Sequence, residues 1–244
     1  MEPTSLAPMV ATLGAFASVI AAFVSGAITL RAQSAAAKES NYKRLLNLEE
    51  PLLQAAFDLQ SRIANIYECC FFSFHEPDRE RYRLYTEEST IYRIAQYFCY
   101  VEILRKESLY VNLTKPREIK KTLSLLHHIE RAWSSDKIHG EELRIFADEQ
   151  RYIGECLFCE KDGKLSCMNY RDFIKLWSRK EDVILDEIRA DVRKIAGDAS
   201  YRIASHRMVK VQNLLIDLIE ARDNPHSRFP ADKLKKIILT ENAV

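Results

Sequence analysis

Apolar and polar positions along this chain fall into two regimes. From Pro3 to Leu30 no residue is charged, and "LGAFASVIAAFVSGAITLRAQ" (13–33) meets its first charge at Arg31. Beyond it, apolar residues return every three or four positions, the period of a helix with one buried face. Leu45, Leu48, Leu52, Ala55, Leu59, Ile63, Ile66 and Cys70 form a heptad-like seam, and Pro51 within it predicts a bend or restart. A second helix is predicted to start near Pro77, with Ile91, Ile94, Phe98 and Val101 on its apolar face. A third has Thr114 as cap, Pro116 in the first turn, and Ile119, Leu123, Leu126 and Trp133 on one side. A fourth covers "GEELRIFADEQRYIGECLF". The final third reads as a helix around Phe173 and Trp177, a charged amphipathic helix, and a closing helix through Leu214, Leu215, Leu218 and Ile219. The tail predicts a loop and a short basic helix in "DKLKKIIL".

One segment breaks this rhythm. "CLFCEKDGKLSCMNY" sets Asp162-Gly163 between short apolar runs, the pattern of a tight hairpin. Cys69-Cys70, in "YECCFFSF", read as small buried residues or, as a lesser alternative, an acylation site. The predicted class is therefore mostly all-α: an N-terminal transmembrane helix, then an antiparallel helical bundle with one short β-hairpin near residues 156–168. The expected divisions are an anchor at 1–31, a juxtamembrane helical linker at 32–50, a cytoplasmic bundle at 51–223 and a tail at 224–244.

Charge settles the expected orientation. A helix from Pro8 to Leu30 measures roughly 34 Å at 1.5 Å per residue, enough for a hydrocarbon core of about 30 Å. Residues 1–7 hold no Lys or Arg, which disfavours a secretory signal, although "SAAAKE" (34–39) resembles a cleavage site. Arg31, Lys38, Lys43 and Arg44 follow the segment, so the N-terminus is expected outside and the large domain in the cytoplasm. Six cysteines without a disulfide-framework spacing agree with a reducing compartment. Inside the segment Gly14, Ser18, Ala22 and Gly26 recur every four residues, a ridge along which membrane helices approach closely. A homo-oligomer in the lipid bilayer is the expectation.

Composition and spacing exclude more chemistry than they name. With 36 basic and 35 acidic residues the net charge is +1, giving no field to attract nucleic acid. Six glycines in the whole chain write no GxGxxG, phosphate loop or nucleophile elbow, so no cofactor is expected. Cys156, Cys159 and Cys167 are weak metal candidates, needing a fourth ligand such as His139, and no metal is expected. No Glu-x-x-His pair exists for a di-metal bundle. Glu102 and Arg105 on the second helix, with Arg144, Glu149 and Arg151 in "LRIFADEQRYIGE", are the candidate polar network or ligand site.

"EPLLQAAFDLQSRIANIYE", "IAQYFCYVEILRKE", "RIFADEQRYIGE" and "DGKLSCMNYRDF" together resemble a group of uncharacterised single-pass, membrane-anchored helical proteins of bacterial and plant genomes. The resemblance covers roughly residues 40–175 and implies an anchor, a helical body and no known function. The expected function is non-enzymatic: oligomerisation or partner interaction at the membrane, as scaffold or effector. The alternative is a membrane-tethered sensor whose bundle binds a small ligand or partner, and an enzyme with a site in the bundle stands third.

Overall fold

The computed structural model describes residues 7–76, 78–109, 117–138, 142–161, 163–177, 182–197, 206–223 and 228–238. They form α1 (Ala7–Glu68), a 3-10 turn (Phe71–Phe74), α2 (Glu80–Arg83), a π turn (Leu84–Glu88), α3 (Ser89–Leu109) and α4 (Arg117–Ser134). After these come α5 (Ala147–Cys156), β1 (Phe158–Lys161), β2 (Lys164–Cys167), α6 (Tyr170–Trp177), α7 (Val183–Gly197), α8 (His206–Arg222) and a 3-10 turn (Ala231–Lys233). The chain is mostly helical, as its periodicity predicts, with one short antiparallel hairpin.

Two compact units divide the chain, Met1–Leu46 and Asn47–Val244. In the first, Ile28 and Leu30 are exposed, and Thr29 donates its hydroxyl to the Ser25 carbonyl at 2.8 Å. No helix is long and apolar enough to cross a membrane among the described residues, which leave out the side chains of residues 7–24 and so most of the expected anchor. The side chains of Gly14, Ser18, Ala22 and Gly26 lie outside the described residues as well.

The second unit is built on the seam. Leu52, Ala55, Leu59, Ile63 and Ile66 are all buried, five positions taken up by the unit's own core. The seam also ends sooner than its spacing predicts. Cys70 sits outside α1 with a left-handed φ of 50°, and Cys69 and Cys70 are exposed rather than buried. The expected restart at Pro51 is absent, and α1 runs through it.

α3 lies against α5, and α4 against α8. Gly154 permits the first contact, since a Cβ there would stand 2.7 Å from the Phe98 carbonyl oxygen. At the C-terminus of α4, the buried guanidinium of Arg207 donates from Nη1 to the carbonyls of Ala132, Trp133 and Ser135 at 2.9–3.0 Å. Helix ends leave such carbonyls without intrahelical donors, and a cation satisfies both their hydrogen bonding and their partial negative charge.

Two elements differ from their sequence reading. The fourth helix begins at Ala147, because Leu143 takes a φ of 55° and buries its side chain ahead of it. The short basic helix expected in "DKLKKIIL" is a 3-10 turn at Ala231–Lys233 followed by non-helical chain. That tail is held by amides. Gln212 donates to the Lys235 carbonyl at 2.8 Å, and Ile237 N donates to Asn213 Oδ1 at 3.1 Å. Phe229 stacks on Phe57 with centroids 4.8 Å apart, so the tail is part of the packed unit.

The hairpin lies where its sequence predicts. Phe158 pairs with Cys167 and Lys161 with Lys164, which leaves a two-residue loop. Gly163 takes a φ of 69°, the conformation that makes Asp-Gly suited to such a loop.

Candidate functional site

The segment "RYRLYTEEST" supplies the most unusual backbone of the second unit. Thr86 and Thr90 donate their hydroxyls back to the carbonyls of Tyr82 and Thr86, at 2.8 and 2.6 Å, and Ser89 does the same to Tyr85. Hydroxyls that take i−4 carbonyls compete with the backbone ladder. Here the helix loosens by one residue into the π turn Leu84–Glu88, a feature that often marks functional positions.

This turn drives two consecutive carboxylates inward, with Glu87 0% and Glu88 3% exposed. α7 presents Arg189 and Arg193 four residues apart, on one helix face, to receive them. Arg193 donates to both Glu87 oxygens, at 3.0 and 3.3 Å, and His75 Nε2 stands 2.9 Å from Glu87 Oε1. Arg83 donates to Glu88 Oε1 at 3.0 Å, and Arg189 Nε stands 3.3 Å from the same oxygen. Glu88 Oε2 is buried with no hydrogen-bond partner among the described residues.

The two carboxyls are therefore shifted in opposite directions. Burial opposes ionisation of Glu87, yet the hydrogen bonds from Arg193 and His75 prevail and hold it below the usual range. Burial wins at Glu88, whose carboxyl is pushed up despite Arg189 and Arg83. Behind the turn, Arg62 is buried over the Phe71 ring at 3.9 Å and donates to Thr90 Oγ1 at 3.3 Å. Its burial, with Arg93 nearby, pushes it down to about 10.

The outer side of the turn faces an open cleft of about 1040 Å³. Four aromatic rings border it: Phe74, Tyr82, Tyr85 and Tyr170. Its charged margin is Glu80, Arg81, Arg171 and Lys175, with Leu84 and Ile174 as its aliphatic floor. Tyr170 donates its hydroxyl to the Leu84 carbonyl at 3.0 Å and so ties α6 to the π turn across the cleft. Phe74 is 52% and Tyr85 50% exposed, two large rings left to solvent side by side at one cleft.

The candidates chosen from sequence lie elsewhere. Glu102 is buried and paired bidentately with Arg105 at 2.5 and 2.7 Å, an ion pair within one helix. Glu102, Arg105 and Arg151 border a crevice of about 30 Å³, room for about one water molecule. Arg151 turns instead to Asp148 at 3.0 Å. Glu149 accepts the Phe146 N–H at 2.8 Å and caps α5, and Arg144 lies over the Phe146 ring at 5.5 Å. Three of the five share the crevice, and no site assembles from all five.

Cys156 ends α5, Cys159 lies in β1 and Cys167 in β2. Cys167 donates its thiol to the Met168 carbonyl at 3.6 Å, and the thiol of buried Cys99 in α3 is pushed up by neighbouring Cys167 and by burial. No group of three or more ligating side chains able to hold a metal occurs among the described residues, and His139 lies outside them. Sequence reasoning missed the π turn because "YTEEST" continues a helical period. The available signal was the Thr-x-x-Ser-Thr hydroxyls flanking two acids that fall on the buried side. No family model, no curated protein and no solved structure matches the chain.

Proposed function

We propose that this chain is a membrane-tethered partner-binding protein, with residues 8–30 as its anchor and the cleft beside the π turn as its recognition surface. The observation that carries this reading is the cleft itself, where Phe74, Tyr82, Tyr85 and Tyr170 stand beside Arg81 and Arg171. Tyr, Phe and Arg are the residue types enriched where proteins meet partners, and the ones that dominate binding energy there. The cleft is wide and open, which suits a protein segment better than an enclosed small molecule. Clamping of the π turn by α7 supports the same reading, because a pre-organised surface loses less entropy on binding.

The uncharged run from Pro3 to Leu30, its basic flank and the resemblance to single-pass proteins support the tether. The ridge Gly14–Ser18–Ala22–Gly26 adds self-association to the same reading. The test uses the full chain in its own membranes, with a photo-crosslinking side chain at Ile174 and, as control, at exposed Lys210. A discrete adduct from Ile174 that disappears in the Phe74→Ala variant is expected. Adducts indifferent to that variant, or equal at Lys210, would refute the cleft as recognition surface.

A further inference from the structure

The cleft's charges point to the chemistry of what it receives. Arg81 is exposed, and its guanidinium has no ion-pair or hydrogen-bond partner among the described residues. Arg171 and Lys175 both approach Asp172 Oδ1, each at 3.5 Å. Among the described residues bordering the cleft, Glu80 stands against three cations, Arg81, Arg171 and Lys175. The neighbouring charges are already committed: Arg79 is held by Glu76 at 3.1 Å, and Arg83 by Glu88. The cleft thus offers an unpaired guanidinium at Arg81 and more cations than acids along its lining, beside aromatic faces left to solvent.

We infer that the cleft receives a short acidic segment of another protein, anchored by an apolar side chain between Phe74, Tyr85 and Ile174. Asp or Glu residues on either side of that anchor meet Arg81 on the α2 wall and Arg171 and Lys175 on the α6 wall. This rests on the cleft being the recognition surface. Cations contributed by two different helices, with apolar side chains in the same lining, favour a pattern of acid, apolar, acid and reject a basic segment by like-charge repulsion. Rim charges of this kind act mainly on association and weaken with salt.

A random-peptide phage library selected on the full-length protein in phosphatidylcholine nanodiscs tests it. The expected pool is enriched in Phe or Leu flanked by Asp or Glu. A synthetic peptide from that pool loses about tenfold or more in affinity on Arg81→Glu and on Phe74→Ala, and binds more weakly at high salt. Both substituted residues are exposed, and unchanged thermal melting of the variants secures the comparison. A basic or neutral pool, a pool indifferent to Arg81→Glu, no enriched pool, or crosslinking of Ile174 to lipid overturns the inference. If the Ile174 adduct still depends on Phe74 in those cases, the cleft survives as recognition surface and only the acidic partner falls; if it does not, both fall.

Discussion

Glu87 and Glu88 are chain neighbours, equally buried, and they respond to protons in opposite senses. A carboxyl held low in the folded state contributes stability above its unfolded value, and this is lost as pH falls through the folded value. That is Glu87, clamped by Arg193 and His75. A carboxyl pushed up contributes stability that is whole below the ordinary value of 4.5 and disappears as pH rises through the folded value. That is Glu88. Melting measured against pH is expected to separate them. Glu88→Gln removes the loss on the rising side, and leaves the variant no less stable than the parent at neutral pH. Glu87→Gln costs about 2 kcal/mol at neutral pH, the scale of hydrogen bonds to a charged group, and abolishes the acid-side loss. Two parallel pH profiles would disprove the assignment.

Among the elements, the contact of α3 with α5 depends on one missing side chain. A Cβ on Gly154 would stand 2.7 Å from the Phe98 oxygen and 2.9 Å from its carbon, both of them backbone that cannot rotate away. Gly154→Ala is therefore expected to destabilise the protein by about 1–3 kcal/mol, read from urea unfolding. Gly163→Ala is expected to cost its strain through the φ of 69° alone, since nothing surrounds a Cβ there. The sequence makes such elements legible unequally. Ile91, Ile94 and Phe98 repeat at helical spacing and are buried as their period requires, and Asp162-Gly163 names its own turn. The π turn stays hidden because no residue type in "YTEEST" by itself marks the extra residue, which changes which side chains point inward. Glu102 looked like a site residue for the converse reason. A charge on an apolar face stands out in sequence, and its partner Arg105 three residues on satisfies it locally.

At the scale of the whole molecule, the proposed function assigns recognition and tethering to different stretches of chain. The Gly14–Gly26 ridge makes a forecast separate from the cleft. Full-length protein in detergent should scatter light as more than a monomer, and Gly14→Leu with Gly26→Leu should shrink it. A particle of unchanged size would remove self-association and leave the cleft untouched. The π turn has a consequence of another kind. A helix advances about 100° of rotation per residue, so in-frame loss of one codon between Leu84 and Glu88 would restore an ordinary turn and rotate everything before it. Arg81 and Tyr82 would swing off the cleft while α3 kept its place. A single in-frame deletion or insertion at this turn would therefore remove or restore the α2 side of the cleft at one stroke, where substitution would have to change several residues.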